Sequence, residues 1–172
     1  MVENRSWITG SGSTRTITVV ASGQGAVTIA PSVNFSISDI AGNAQTTAGG
    51  TDRSVTFDSV APTLTLVQAA GQGDPTNGSS IQFTLTSSET IDAATITAAD
   101  FTVTNGSALS ISGSGTTFTL TTTASANGAV TIAPAGGFSI SDTAGNAATV
   151  ASGTDRSVTY DTVSPTLTVQ QA

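Results

Sequence analysis

The 172-residue sequence has no cysteine, no histidine and no lysine, and its basic side chains are four arginines. Without cysteine or histidine, the chain has no residues for a structural zinc site, a thiolate nucleophile or a catalytic imidazole. The net charge of −7 opposes binding to nucleic-acid phosphates. No apolar run approaches the roughly 20 residues that a membrane-spanning helix needs. We therefore expect neither a nucleic-acid partner nor a membrane span, and the residues after Met1 do not form a signal peptide.

Charge and aromatic side chains are also scarce, at 9% and 5% of the chain. Threonine, serine, glycine, asparagine and alanine take the positions that charged residues usually occupy, which is more typical of extracellular bacterial repeat proteins than of cytosolic enzymes. Glu89 and Asp92 are the carboxylate pair that comes nearest to a glycosidase arrangement. They lie three residues apart in a predicted turn with no aromatic platform for a sugar, so we expect no enzymatic activity.

One stretch of the sequence occurs twice without a gap, at residues 25–69 and 128–172, with an offset of 103 residues. A repeat of this length matches one ordinary domain and is too long for a solenoid coil. The offset leaves residues 63–103 without a counterpart in the first copy. We therefore predict the C-terminal part of a first domain at residues 1–61, a complete domain at 62–164, and the start of the first strand of a following domain at 165–172.

Apolar and polar residues alternate with a period of two along most of the chain, which indicates half-buried strands. A short helical turn capped by Thr97 is predicted within residues 91–100, and Asn105-Gly106 predicts a β-hairpin. About seven strands in 100 residues predict an all-β fold with two antiparallel sheets packed face to face. The predicted strands are 14–20, 26–30, 35–38, 54–58, 63–68, 80–86, 101–104, 116–123, 129–132, 138–141 and 157–161.

Several short motifs follow one another in the complete domain, at residues 58–63, 88–89, 97–101, 105–106, 141–146 and 158–161. This ordered set resembles the bacterial immunoglobulin-like repeats of large surface proteins and adhesins. Thr90 departs from the family, which often has proline there. The resemblance implies tandem immunoglobulin-like β-sandwiches, one complete and one partial, at the bacterial cell surface or outside the cell, with neighbouring repeats of the same protein as partners.

Six residues are candidate cation ligands: Asp39, Asn43, Asp58, Asp142, Asn146 and Asp161. Two Asp/Asn pairs each share a loop, and the other two aspartates end the final strands just before a junction. Calcium takes six to eight oxygen ligands, and the resemblance implies that calcium binds at such junctions; no other cofactor is expected. In the alternative interpretation, the loop aspartates form side-chain-to-backbone turns and the other two are solvated strand ends.

The linker at residues 58–62 is short, contains no glycine and ends in Pro62, which predicts a stiff joint. We therefore expect a non-catalytic spacer or stalk that acts through length and rigidity. Two alternatives remain open. The chain could be a binding module that recognises a glycan or host surface through the loop at residues 71–79. It could also be a filament subunit, in which residues 165–172 of one copy add as a strand to the partial first domain of another.

Overall fold

The computed structural model describes residues 6–32, 34, 36–45, 49–50 and 52–171. Their regular structure is β-strand apart from one short 3-10 turn at Ala98–Asp100, which confirms the predicted all-β class; the turn lies within the predicted range of residues 91–100, with Thr97 at its N-cap position. The chain divides into two compact units, Met1–Ser59 and Val60–Ala172, called here the first and second units. In the described residues, no helix has the length and apolar character needed to cross a membrane.

The described residues of the first unit form six short strands in three two-stranded antiparallel sheets. They are β1 (Ser6–Thr9), β2 (Thr16–Val19), β3 (Gly25–Thr28), β4 (Ile37–Ser38), β5 (Ala44–Gln45) and β6 (Ser54–Phe57). Strand β1 pairs with β2, β3 with β6, and β4 with β5. Of the strand predicted at 35–38, residues 37 and 38 are β4, and Phe35 lies outside the described residues. No described residue of this unit is buried.

Residues 60–171, the part of the second unit that the structure describes, form eight strands in two sheets. They are β7 (Thr63–Gln68), β8 (Ser80–Ser87), β9 (Phe101–Thr104), β10 (Gly106–Ser114), β11 (Thr117–Ala124), β12 (Gly128–Pro134), β13 (Thr149–Ser152) and β14 (Ser157–Tyr160). One sheet has the order β10-β11-β8-β7-β13, in which only the β7–β13 pair is parallel. The other sheet has the order β14-β12-β9 and is antiparallel throughout.

A single apolar core joins the two sheets of the second unit into a sandwich-like structure. In β8, the inward-facing Ile81, Phe83 and Leu85 are fully buried, whereas Gln82 between them is exposed. Burying such side chains stabilises a fold by about 25 cal/mol per Å2 of apolar surface, so a core of this size needs no disulfide. The remaining core residues are Leu64, Leu66, Ile91, Ile96, Phe101, Phe118, Leu120, Val130, Ile132, Ile140 and Val158.

The predicted hairpin at Asn105-Gly106 is wrong, because β9 and β10 belong to different sheets. Asn105 adopts a left-handed conformation with φ of 56° and turns the chain from one sheet to the other. Its side-chain amide donates to the Ala126 carbonyl at 2.8 Å and accepts from the Ala126 amide at 3.1 Å. The tight hairpin instead joins β10 to β11, where Ser114 pairs with Thr117.

The strand predicted at residues 138–141 is also absent. Ser141 forms only an isolated bridge to Ala147, and its backbone amide donates to the Thr95 hydroxyl at 3.1 Å instead of to a neighbouring strand. The apolar positions still face inward, since Phe138 packs edge-on against Phe101 with ring centroids 6.4 Å apart. The alternation of apolar and polar residues therefore predicted correctly which of these side chains face the core, but its prediction of strand pairing was wrong.

Equivalent residues of the two copies differ sharply in burial. The offset of 103 residues places β2 on β11, β3 on β12 and β6 on β14. Ile37 is 59% exposed and Val55 is 72% exposed, whereas their counterparts Ile140 and Val158 are both 0% exposed. The first unit includes no counterpart of β7, β8 and β9, the strands that cover these positions in the second unit.

Candidate functional site

The loop that contains Asp142 and Asn146 is closed by the Asp142 carboxylate. Asp142 Oδ1 accepts hydrogen bonds from the backbone amides of Ala144 and Asn146, both at 2.8 Å, and Oδ2 accepts from the Asn146 side chain at 2.8 Å. The carboxylate is nearly buried, with 3% of the residue exposed. Burial raises the pKa of Asp142, but the hydrogen bonds from Asn146, Ala144 and Gly145 outweigh it and hold the pKa below its ordinary value.

The corresponding loop of the first unit has the same geometry. Asp39 Oδ1 accepts from the Asn43 amide and Oδ2 accepts from the Asn43 side chain, both at 2.8 Å. The hydrogen bond from the Asn43 side chain, followed by that from its backbone, lowers the pKa of Asp39 although the residue is exposed. In both loops the two predicted ligands therefore come together and bind each other, in the side-chain-to-backbone turn of the alternative interpretation.

Asp58 and Asp161 lie at strand ends and are not part of these loops. Asp58 accepts a hydrogen bond from the Gln24 side chain at 2.8 Å. Asp161 is exposed, and its carboxylate accepts from the Val163 amide at 2.8 Å. Asp39 and Asp161 belong to no group of three acidic side chains close enough to share an ion among the residues the structure describes.

One further carboxylate lies beside the Asp142 loop in the second unit. A carboxylate oxygen of Glu89 is within 4.8 Å of a carboxylate oxygen of Asp142. Two carboxylates at this distance supply only part of the oxygen shell that calcium requires. Glu89 was missing from the residues predicted as ligands because it is separated from Asp142 by about 50 positions in sequence, and no local pattern links the two.

Asp100 is a buried carboxylate that the sequence did not single out. It is 2% exposed. Its Oδ2 accepts from the amide and the hydroxyl of Thr97, both at 2.8 Å, and its Oδ1 accepts from the Ser139 amide at 2.9 Å. Burial raises the pKa of Asp100, but these hydrogen bonds outweigh it and leave the pKa below its ordinary value. The carboxylate therefore ties the turn before β9 to the segment after β12, which is a structural role.

The loop at residues 71–79 is held by its own unit. The Gln72 side chain accepts from the Gln82 amide at 2.9 Å, and the Asp74 carboxylate accepts from the Thr159 amide at 2.8 Å. The loop contains no aromatic residue on which a sugar ring could stack. Its polar side chains therefore fix the loop to β8 and β14.

An open apolar groove of about 1140 Å3 lies in the first unit and is called here the apolar groove. Its walls include Ile17 and Val27 from β2 and β3, Ile37 from β4, and Val55 and Phe57 from β6. These positions correspond to core positions of the second unit, apart from Phe57, whose counterpart Tyr160 is partly buried. The groove is thus half of a sandwich core that is open on one side.

Comparisons with protein-family models, with curated proteins and with solved structures gave no match to this chain.

Proposed function

We propose that this chain is a stretch of a tandem array of immunoglobulin-like domains, which serves as a non-catalytic spacer in a bacterial extracellular or surface protein. The observation that carries the proposal is the gap-free repeat of 103 residues, whose strands coincide in the two units. A domain-sized unit copied in series changes the length of a protein with each copy. A single binding or catalytic site does not require that a whole domain be copied.

The strand order of the second unit supports the immunoglobulin-like assignment. Without β13, one sheet reads β7-β8-β11-β10 and the other reads β9-β12-β14. Lettered in chain order, these are A-B-E-D and C-F-G, the arrangement of constant-type immunoglobulin domains. Strand β13 is an addition that lies parallel to β7 at the edge of the first of these sheets.

The loop at residues 71–79 runs parallel to β14, the last strand of the second unit, which suits a domain that bears tension. The Thr76 amide donates to the Thr159 carbonyl at 2.9 Å, and the Asp161 amide donates back to the Thr76 carbonyl at 2.9 Å. The bridge between Thr76 and Tyr160 is parallel. Because the two segments are parallel, a force along β14 loads these hydrogen bonds together in shear, so they do not open one at a time.

In each unit, a side-chain amide binds the residue two positions after the end of the last strand, an arrangement called here the exit clamp. In the first unit, Gln24 Oε1 accepts from the amide and hydroxyl of Ser59 at 2.8 and 3.2 Å. At the equivalent positions of the second unit, Asn127 Oδ1 accepts from the amide and hydroxyl of Thr162 at 3.1 and 2.9 Å. An exit clamp in both copies favours a joint of restricted motion.

The buried Pro62 holds the other side of the linker. Its carbonyl accepts a hydrogen bond from the Thr149 amide at 3.0 Å within the second unit. Val60 and Ala61 are therefore the two residues between the exit clamp and this anchor. A linker of two residues that is followed by a proline has little conformational freedom.

Small-angle X-ray scattering of concatemers of residues 62–164 tests the proposal. For one to four copies, we expect the maximum dimension to grow linearly, by about 35 Å or more per copy, which is the diameter of a domain of this size. Asn127→Ala should shorten the average dimension by loosening each joint, whereas Ser112→Ala on the exposed face of β10 should not. Growth with the cube root of copy number would contradict a spacer function.

A further inference from the structure

Asparagine is followed by glycine at three places in the sequence, all within the second unit: Asn77-Gly78, Asn105-Gly106 and Asn127-Gly128. Asparagine reacts most readily with its own backbone in this dipeptide, because glycine has no Cβ to obstruct the approach of its amide nitrogen to the asparagine side chain. An intramolecular reaction of this kind is fast only when the two groups can reach each other. The local structure therefore determines which of the three pairs can react.

The side chain of Asn105 is bound at both its nitrogen and its oxygen. It donates to the Ala126 carbonyl at 2.8 Å and accepts from the Ala126 amide at 3.1 Å. Gly106 begins β10 and is closely packed, since an added Cβ would lie 2.8 Å from both Thr122 Oγ1 and Val103 Cγ1. Neither reacting group can move without disrupting the turn between the two sheets, so this pair is protected.

Asn127 is exposed, but the exit clamp holds its side chain. Its Oδ1 accepts from the amide and the hydroxyl of Thr162 at 3.1 and 2.9 Å. Gly128 is the first residue of β12 and lies opposite Tyr160 of β14. The side-chain carbonyl that would be attacked is thus bound, and the attacking nitrogen belongs to a residue of a paired strand. Reaction here requires that the exit clamp open and that the end of β12 separate from β14.

Asn77 and Gly78 have neither form of protection. Both are exposed, and they lie in the loop at residues 71–79, outside any strand. No hydrogen bond holds the Asn77 side chain among the residues that the structure describes. The Gly78 amide donates to the Thr76 hydroxyl at 3.1 Å, an exposed hydrogen bond that water can replace. Local opening of such a loop costs little free energy, so the two reacting groups can meet in the folded protein.

We infer that Asn77 is a site of spontaneous modification, where the chain converts to aspartate and isoaspartate while Asn105 and Asn127 stay intact. The Gly78 amide nitrogen loses its proton to solvent and attacks the carbonyl carbon of the Asn77 side chain. A C–N bond forms and ammonia leaves, which gives a succinimide ring. Water then adds to either ring carbonyl and opens the ring to aspartate or isoaspartate. One water is consumed, one ammonia is released, and a neutral amide becomes a carboxylate.

The modified residue directly follows Thr76, which joins the loop to β14. Thr76 donates to the Thr159 carbonyl and accepts from the Asp161 amide, both at 2.9 Å. Isoaspartate adds one methylene to the backbone beside these hydrogen bonds. Either product also adds a negative charge close in sequence to Asp74, whose carboxylate accepts from the Thr159 amide. The modification therefore loosens the contact between the loop and β14 as the protein ages.

Incubation of the full 172-residue chain at mildly alkaline pH, followed by peptic digestion and mass spectrometry, tests the site. We expect the mass gain of amide hydrolysis at Asn77, and a protein isoaspartyl methyltransferase should label the same peptide. Asn105 and Asn127 should react at least about tenfold more slowly, the factor expected when two hydrogen bonds must first break. In guanidinium chloride, as the control, all three should react alike. An intact Asn77, or equal reaction of all three in the folded chain, would overturn the inference.

Two variants separate the chemistry from its structural consequence. Gly78→Ala adds a Cβ that has room in the loop, with Thr76 Oγ1 nearest at 3.5 Å, but obstructs the attacking nitrogen. It should release ammonia from Asn77 severalfold more slowly than the wild type. Asn77→Asp carries the new charge without the extra methylene. Amide exchange at Thr76 and Asp161 should be faster in aged wild type than in Asn77→Asp. Unchanged ammonia release in Gly78→Ala, or unchanged exchange on ageing, would contradict the proposed modification.

Discussion

Aspartates that bind backbone amides recur at the turns of this protein. Asp39 and Asp142 close equivalent loops, and Asp100 joins two segments of the second unit. Carboxylates suit this position because one group can accept several hydrogen bonds from N–H groups that would otherwise lose their partners. The chain has few charged residues, and these three aspartates use theirs to hold turns and loops in place.

Asp100→Ala should destabilise the second unit. The substitution removes the carboxylate that accepts part-buried hydrogen bonds from the amides of Thr97 and Ser139, and loss of a hydrogen bond to a charged group costs about 1.5–3 kcal/mol. Asp161→Ala, which removes an exposed carboxylate with one local hydrogen bond, is the control and should change the free energy of unfolding by less than about 0.5 kcal/mol. Urea denaturation of chains that also carry Trp7→Phe, followed by Tyr160 fluorescence, measures both; equal effects would show that Asp100 has no such structural role.

The same carboxylates predict how stability depends on pH. The pKa values of Asp100 and Asp142 are lower in the folded protein than their ordinary value of 3.8. The unfolded chain therefore takes up protons first as the pH falls, and the stability from these groups is complete above pH 3.8 and lost below it. With no histidine, the urea midpoint should be flat from pH 8 to 5 and fall between pH 4 and 2. Asp100→Asn should make this fall shallower, and an unchanged fall would count against the assignment.

At the scale of the element, the sequence predicted those strands that pair with the next strand in the chain or that alternate strictly between apolar and polar residues. The bounds predicted for β7 and β9 match the structure, and β8 differs by one residue. Strand β13 was missed because its parallel pairing with β7 is set by a contact 86 residues away and by Gly153, not by local alternation. The Asn105-Gly106 turn was misassigned because the dipeptide specifies a left-handed backbone without specifying which sheet the chain enters next.

The contacts of the candidate site were also predictable only in part, depending on how far apart their residues lie in the sequence. The Asp142–Asn146 and Asp39–Asn43 pairs are four residues apart and could be predicted from sequence as local loops. The position of Glu89 beside Asp142 and the ties from Asp100 to Ser139 depend on how β8, β9 and β12 pack. Such contacts are decided by the closed core and leave no periodic signal in the sequence.

The close approach of β7 to β13 can be tested with two glycines of similar backbone conformation. Gly153→Ala and Gly128→Ala, at φ of 130° and 125°, both place a side chain in a strained region that costs about 1–2 kcal/mol. Only Gly153→Ala also drives a Cβ into the Leu66 carbonyl, adding about 1–3 kcal/mol. We expect a lower urea midpoint for Gly153→Ala than for Gly128→Ala, and faster amide exchange at Thr149 and Gln68 in Gly153→Ala alone; equal midpoints would contradict the β7–β13 packing.

At the scale of the whole molecule, the chain contains two equivalent half-cores and one set of strands that covers one of them. The second unit buries its apolar positions with β7, β8 and β9, and the first unit leaves the same positions open in the apolar groove. If both units are the same domain, the difference in burial between them follows from the presence of these strands in the second unit.

Hydrogen exchange of a chain with a copy of residues 60–103 joined before Met1 tests this equivalence most directly. The added segment supplies counterparts of β7, β8 and β9 in the register of the repeat. The account predicts that amides of β2, β3 and β6 then exchange at least tenfold more slowly and approach the protection of β11, β12 and β14. If exchange in β2, β3 and β6 is the same with and without the added strands, the two units are not copies of one domain and the tandem-array function is contradicted.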